Sequence, residues 1–158
     1  MGALIDKIYR LRDDLILQLG ASVRQLDRYW IAAGKLVDIL DNVKVKDFIN
    51  DAGLYRAKIG GEVKYIGCAG RSTSGGLKAR LRDYLNGRSC RYESGRKMYE
   101  NRSIIDIDLL PLGDYPFASH AARALECWLI FQYRSTVWNK ISIADREEIE
   151  LDPNLSRN

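Results

Sequence analysis

The sequence predicts an α+β domain, in which a small antiparallel sheet of about three strands is flanked by helices and preceded by an N-terminal helical hairpin. Three observations predict it. Two alternating runs, Leu54–Ile59 and Val63–Gly67, flank Gly60-Gly61, the signature of a tight β-hairpin. Ser103–Leu110 alternates apolar and acidic residues and reads as a further strand. Between and after these strands lie two helical patterns, so the order is hairpin, helix, strand, helix, which suits a sheet with helices packed against it.

The elements follow in order. Leu4, Ile8, Leu11, Leu15 and Leu19 recur at spacings of three and four, giving a helix over 3–19 that Gly20 stops. Ser22 is placed to cap a second helix over 22–41, striped by Val23, Leu26, Trp30, Ala33, Val37 and Leu40. A short helical stretch is expected around Lys44–Asn50. After the hairpin, Arg71–Gly76 is a polar, flexible loop. Leu77, Leu81 and Leu85 form the buried row of a helix over 77–86, closed by Gly87. Residues 88–102 are basic and polar and read as a loop with a short helix. Pro111, Gly113 and Pro116 make a turn. Ser119 is placed to cap an apolar helix to about Tyr133, and residues 136–143 can hold a last strand. The division expected is an N-terminal helical extension over 1–50, a core domain over 51–143, and an acidic tail over 144–158 that frays.

Composition narrows the class. With 158 residues, 46% hydrophobic and 29% charged, one core can be buried without a metal or disulfide staple. No apolar run reaches membrane-spanning length, and Asp6, Arg10 and Asp13 interrupt any signal peptide, so a cytoplasmic location is expected. Cys68, Cys90 and Cys127 are widely spaced and His120 is the single histidine, which argues against structural zinc and for reduced thiols. The net charge of +4 is uneven: residues 51–102 hold 12 Lys+Arg against 5 Asp+Glu, whereas residues 103–158 hold 5 against 9. A basic middle third fits a polyanion partner, and equally a solvated basic surface.

Several side chains stand out chemically. Tyr55 and Tyr65 lie on the two hairpin strands and are expected to come close to facing one another, although tyrosine is also simply a good strand residue. Arg80 and Tyr84 are four apart on one helix and share a face. The alternative for Arg80 is a guanidinium snorkelling from a helix edge. Glu126 is the single carboxylate in the apolar run Ala124–Phe131. Burying it unpaired costs several kcal/mol, so it needs a metal ion or a cation such as Arg123. Asn139, after Trp138, is usually a turn residue. His120 reads as a surface or capping residue.

Taken together, these residues resemble the GIY-YIG nuclease superfamily. The first tripeptide stands here as Gly53-Leu54-Tyr55 and the second, intact, as Tyr65-Ile66-Gly67. The family's arginine falls on Arg80, its metal-binding glutamate on Glu126 and its late asparagine on Asn139, so the resemblance runs over about 52–141. Many members carry histidine where this chain has Tyr84; the excision-repair nuclease branch has tyrosine there too. The loop Ala69–Gly76 is longer than in that branch, and Arg71 takes the place of a basic residue seen there.

The resemblance implies a metal-dependent endonuclease hydrolysing phosphodiester bonds in DNA, as a stand-alone restriction- or phage-type enzyme. A repair or structure-specific nuclease is the alternative, and a catalytically silent nucleic-acid-binding module is another. It implies that Glu126 holds one Mg²⁺ or Mn²⁺ per active site, Arg80 braces the phosphate, and Tyr55 orients or deprotonates the attacking water. Tyr65 and Tyr84 would hydrogen-bond around them, and Asn139 would position. Arg71, Lys78, Arg82, Arg88, Arg91, Arg96, Lys97 and Arg102 would track the DNA backbone. A homodimer through the N-terminal helices is the expected assembly.

Overall fold

Glycine makes the central turn. Gly60 and Gly61 have φ of 60° and 85°, the left-handed values that a two-residue hairpin turn of the primed type needs at both positions and that only glycine takes without strain. They join strand β2 (Ala52–Ile59) to strand β3 (Glu62–Ala69). The computed structural model from which these elements are taken describes residues 26–70, 75–113, 117–133 and 136–139.

With β1 (Ile31–Lys35) and β4 (Asp106–Gly113), the hairpin forms a four-stranded antiparallel sheet in the order β1-β4-β2-β3. The fold is thus α+β, with one strand more than expected. That strand lies where the sequence predicts the second N-terminal helix. Residues 26–41 instead form a 3-10 turn (Asp27–Tyr29), β1, and a 3-10 segment (Leu36–Asp41). The stripe was real in part, since Leu26, Ala33, Leu36 and Ile39 are buried. Pairing with the open edge of β4 (Ile31 with Leu109, Lys35 with Asp106) outweighs helix propensity, which Gly34 weakens by about 1 kcal/mol. The first expected helix, over 3–19, lies outside the described residues. A dimer through a pair of N-terminal helices is therefore not carried by residues 26–41. The helical turn expected near Lys44–Asn50 is a 3-10 turn at Val43–Val45, where the Asn42 side chain accepts from Lys44 N–H at 2.9 Å.

Three helices complete the domain: α1 (Gly76–Leu85), α2 (Glu93–Glu100) and α3 (Ala118–Gln132). Alternation along the strands sorts the core into two layers. On one face Tyr55, Ala57, Tyr65, Ile107 and Leu109 pack with Leu77, Leu81 and Tyr84 of α1. On the other, Leu54, Val63, Ile66 and Leu110 pack with Leu125 and Leu129 of α3. Smaller differences remain. β4 begins at Asp106 rather than Ser103. The N-cap of α3 is Phe117 rather than Ser119, with no side-chain cap bond.

β3 is an edge strand, and the described part of the last expected strand lies against it without becoming one. Trp138 N–H donates to the Lys64 carbonyl at 2.6 Å. The Asn139 side chain donates to the Ile66 carbonyl at 2.7 Å and accepts from the Ile66 N–H at 3.1 Å. One side-chain amide thus satisfies both backbone groups of an edge residue, as a neighbouring strand would.

Candidate active site

The phenols come together, but in a different register from the one expected. A bulge on β3 makes Tyr55 the partner of Gly67, and Tyr65 the partner of Ala57. Tyr55 and Tyr65 are therefore diagonal neighbours on one face, with ring centroids 6.1 Å apart. Gly67 is required by space: a Cβ there would run into the Tyr55 ring and hydroxyl. Tyr84 arrives from α1, with centroids 5.9 Å from Tyr55 and 6.0 Å from Tyr65, both edge-on.

Their hydroxyls form a directed chain. Tyr84 donates to Tyr65 at 3.3 Å, which commits its single proton. Tyr55, 2.7 Å from Tyr84, is then the donor in that bond. Arg80 Nε donates to the Tyr55 oxygen at 3.3 Å, and the guanidinium lies 5.1 Å from the Tyr84 ring centroid. The chain runs from Arg80 through Tyr55 and Tyr84 to Tyr65, whose own hydroxyl proton meets no acceptor among the described residues. Tyr55 has no exposed surface and Tyr84 has 1%, whereas Tyr65 has 8%. Burial, then the neighbouring phenols, raises the pKa of Tyr55 well above its ordinary value, and burial does the same for Tyr84. The water-handling role expected of Tyr55 meets a phenol with no solvent contact and a strong preference for its neutral form.

Arg80 is half-buried, and among the described residues no carboxylate pairs with it. It borders two clefts. One, of about 470 Å³, is walled by Cys68, Ala69, Gly70, Gly76, Ala79, Asp83, Arg123 and Glu126. The other, of about 460 Å³, contains Tyr65, Tyr84, Asn139 and the start of α2.

Glu126 reaches the first cleft from α3, on the face of the sheet opposite the phenols. The two faces meet there because β3 is an edge. Cys68 N–H donates to Oε1 at 3.0 Å and the Cys68 thiol to Oε2 at 3.1 Å. Burial, and then the Glu126 carboxylate, pushes the Cys68 thiol up to about 12. Arg123, the local partner weighed from the sequence, is exposed and forms no ion pair with Glu126. Cys68 was not singled out from sequence; its signal is parity with Ile66, which puts it on the face that α3 covers.

Among the described residues no cluster of three or more His, Cys, Asp or Glu could hold a metal ion. The donor set nonetheless fits an ion that keeps most of its water. Glu126 offers an oriented carboxylate on a cleft, which suits Mg²⁺ held by one or two carboxylates with phosphate and water completing the shell. The second cation wall is Arg80.

Of the proposed backbone-tracking residues, Arg82, Arg88, Arg91 and Arg96 are exposed and Lys78 is half-buried. Lys97 pairs with Glu93 at 3.2 Å. Arg102 is turned inward onto the Tyr99 carbonyl at 2.6 Å and the Tyr99 ring at 4.1 Å. Arg71 lies outside the described residues. His120 is exposed. No described helix is long and apolar enough to cross a membrane.

No family model and no curated protein matches the chain. Among solved structures it is similar to the GIY-YIG N-terminal endonuclease domain of UvrC from Thermotoga maritima bound to magnesium. That likeness has 26% identity, covers 59% of this chain and 93% of that one, and has a TM-score of 0.40. A point mutant of the same domain, bound to its catalytic divalent cation, is similar at 26% identity over 59% and 92%, again with a TM-score of 0.40.

Proposed function

We propose that the chain is a divalent-metal-dependent endonuclease that hydrolyses phosphodiester bonds in DNA. One observation carries the reading: a half-buried guanidinium, held by phenols rather than by a carboxylate among the described residues, shares a cleft wall with the oriented carboxylate of Glu126. A cation left without a carboxylate beside an acid suits a site that takes an anion and a metal ion together.

In this reading Glu126 holds one Mg²⁺ or Mn²⁺, with its orientation set by the Cys68 N–H. The bound ion supplies Lewis-acid stabilisation of charge on the phosphate and the leaving oxygen. Arg80 braces non-bridging oxygens with its planar fork. Tyr65, the most exposed of the three phenols, takes the water-orienting or proton-accepting role that the resemblance assigns to Tyr55. The Tyr65 oxygen already accepts the Tyr84 proton, which fixes the ring beside the cleft. Tyr55 holds Arg80 and Tyr84 in register. Asn139 is a positioning residue that fixes β3 beside Tyr65. The water oxygen forms the new bond to phosphorus as the bond to the 3′ oxygen breaks.

Supercoiled plasmid incubated with Mg²⁺ or Mn²⁺ tests the proposal. Nicking or linearisation that is lost in Glu126→Ala and Arg80→Ala supports it. Protein that binds the plasmid but never cuts it is the silent module instead.

A further inference from the structure

We propose that the second cleft bordered by Arg80 seats one unpaired nucleotide of the DNA, its base stacked on Tyr92, beside the phosphate to be cut. The inference rests on the nuclease reading above and narrows its substrate to DNA with a displaced or unpaired base. The cleft's volume of about 460 Å³ falls within the range of roughly 300–1,000 Å³ typical of small-ligand sites. Its lining joins Arg80 and Tyr65 of the active site to Arg91, Tyr92 and Ser94 at the start of α2.

Tyr92 is 58% exposed. A lone exposed tyrosine means little, and Tyr29, at 63%, is one. Tyr92 differs in lining the cleft that Arg80 borders. Its backbone is also anchored on both sides. The Arg91 guanidinium lies 4.8 Å from its ring centroid. Tyr92 N–H donates to the Ser89 carbonyl at 3.1 Å, and its own carbonyl accepts from Arg96 N–H at 2.9 Å. Buried Gly95 lets the backbone at Ser89 press directly onto α2, since a Cβ there would strike the Ser89 carbonyl. The ring therefore sits on a loop locked to a helix, which lowers the ordering cost of stacking.

An aromatic ring can stack only on a base face that has left the duplex stack. Leaving the stack costs least where the base is already unpaired, so the cleft selects distorted DNA over intact duplex. Arg80 and Arg91 supply positive charge for the phosphates of that nucleotide.

The test uses the full chain in EDTA, where nothing is cut, with a short intact duplex and the same duplex carrying one extrahelical 2-aminopurine. Anisotropy is expected to show the bulged duplex bound about tenfold more tightly, the order that one stacked base contributes. The 2-aminopurine fluorescence is expected to be quenched on binding. Tyr92→Ala should bring the two affinities to within about twofold and leave the probe bright, Tyr92→Trp should restore both signals, and Tyr29→Ala should retain them. Equal affinities in the unaltered protein, or a preference and quenching that survive Tyr92→Ala, overturn the inference. If the protein nicks plasmid in Mg²⁺ but shows no preference, the base site fails and the nuclease stands. If it prefers the bulge but never nicks, the nuclease reading fails and the base site stands. Binding to neither duplex overturns both.

Discussion

Tyr55 and Arg56 are neighbours on β2 that point to opposite faces of one sheet, and each anchors a polar network. On the α3 face the network is closed. Asp108, 3% exposed, accepts from Arg56 at 2.8 Å and Lys58 at 2.7 Å, and Arg56 also reaches Asp27 at 2.7 Å and stacks 4.6 Å from the Trp30 centroid. Two cations meet two carboxylates. On the α1 face the network is open. Arg80 is held by a phenol and an aromatic face, and no described carboxylate neutralises it. The same strand thus carries one polar cluster whose charges are spent on the fold and one whose charge is left for a ligand.

The contrast breaks first at Arg80. Arg80→Ala should lower plasmid cleavage by about 10²–10³-fold with little change in unfolding midpoint, and Arg80→Lys should recover only part, because a point charge does not replace the fork. On the closed side the effect should fall on stability. Asp108→Ala leaves Lys58 without its carboxylate and Arg56 with Asp27 alone, and should cost about 3 kcal/mol in denaturant unfolding. Gly67→Ala, which forces the Tyr55 ring off β3, should cost about 2 kcal/mol and disturb cleavage as well. Tyr55→Phe removes two hydrogen bonds, one to Tyr84 and one from Arg80, and should cost about 1–2 kcal/mol near neutral pH.

The pH dependence of that last variant has a definite sign. The Tyr55 and Tyr84 pKa values are raised in the folded state, so their neutral forms are favoured there. Their contribution is complete below the ordinary phenol value of 10.0 and is lost as pH rises through the folded values. The stability gap between the unaltered protein and Tyr55→Phe should therefore narrow above that pH. Ultraviolet titration should show these phenols silent until the protein unfolds. The smallest effect is expected at the surface: Arg96→Ala should reduce the salt slope of DNA binding by about one.

The hairpin, α1 and α3 were legible because each rests on local pattern: Gly60-Gly61 between alternating runs, leucines four apart, and an apolar run with one acid. The convergence of Tyr55, Tyr65, Tyr84 and Arg80 followed from those elements and the resemblance. What was hidden depends on the sheet as a whole. β1 is a strand because β4 has an open edge, and nothing within Ile31–Lys35 announces that. The bulge that seats Tyr55 over Gly67 is set by pairing rather than by composition. Cys68 became visible as the partner of Glu126 only once α3 lay on its face. Tyr92 became visible only when the start of α2 closed a cleft around Arg80.

The most direct test of the central reading is Glu126→Gln, compared with the unaltered protein in single-turnover nicking of supercoiled plasmid at saturating Mg²⁺, with the thermal midpoint of each recorded alongside. The amide keeps an acceptor for the Cys68 N–H but lacks the charge that would hold an ion. A fall of about 10³-fold in rate at an unchanged midpoint is the expected result. Nicking that stays within about tenfold would contradict the assignment of this carboxylate as the metal ligand, and with it the active site drawn around Arg80.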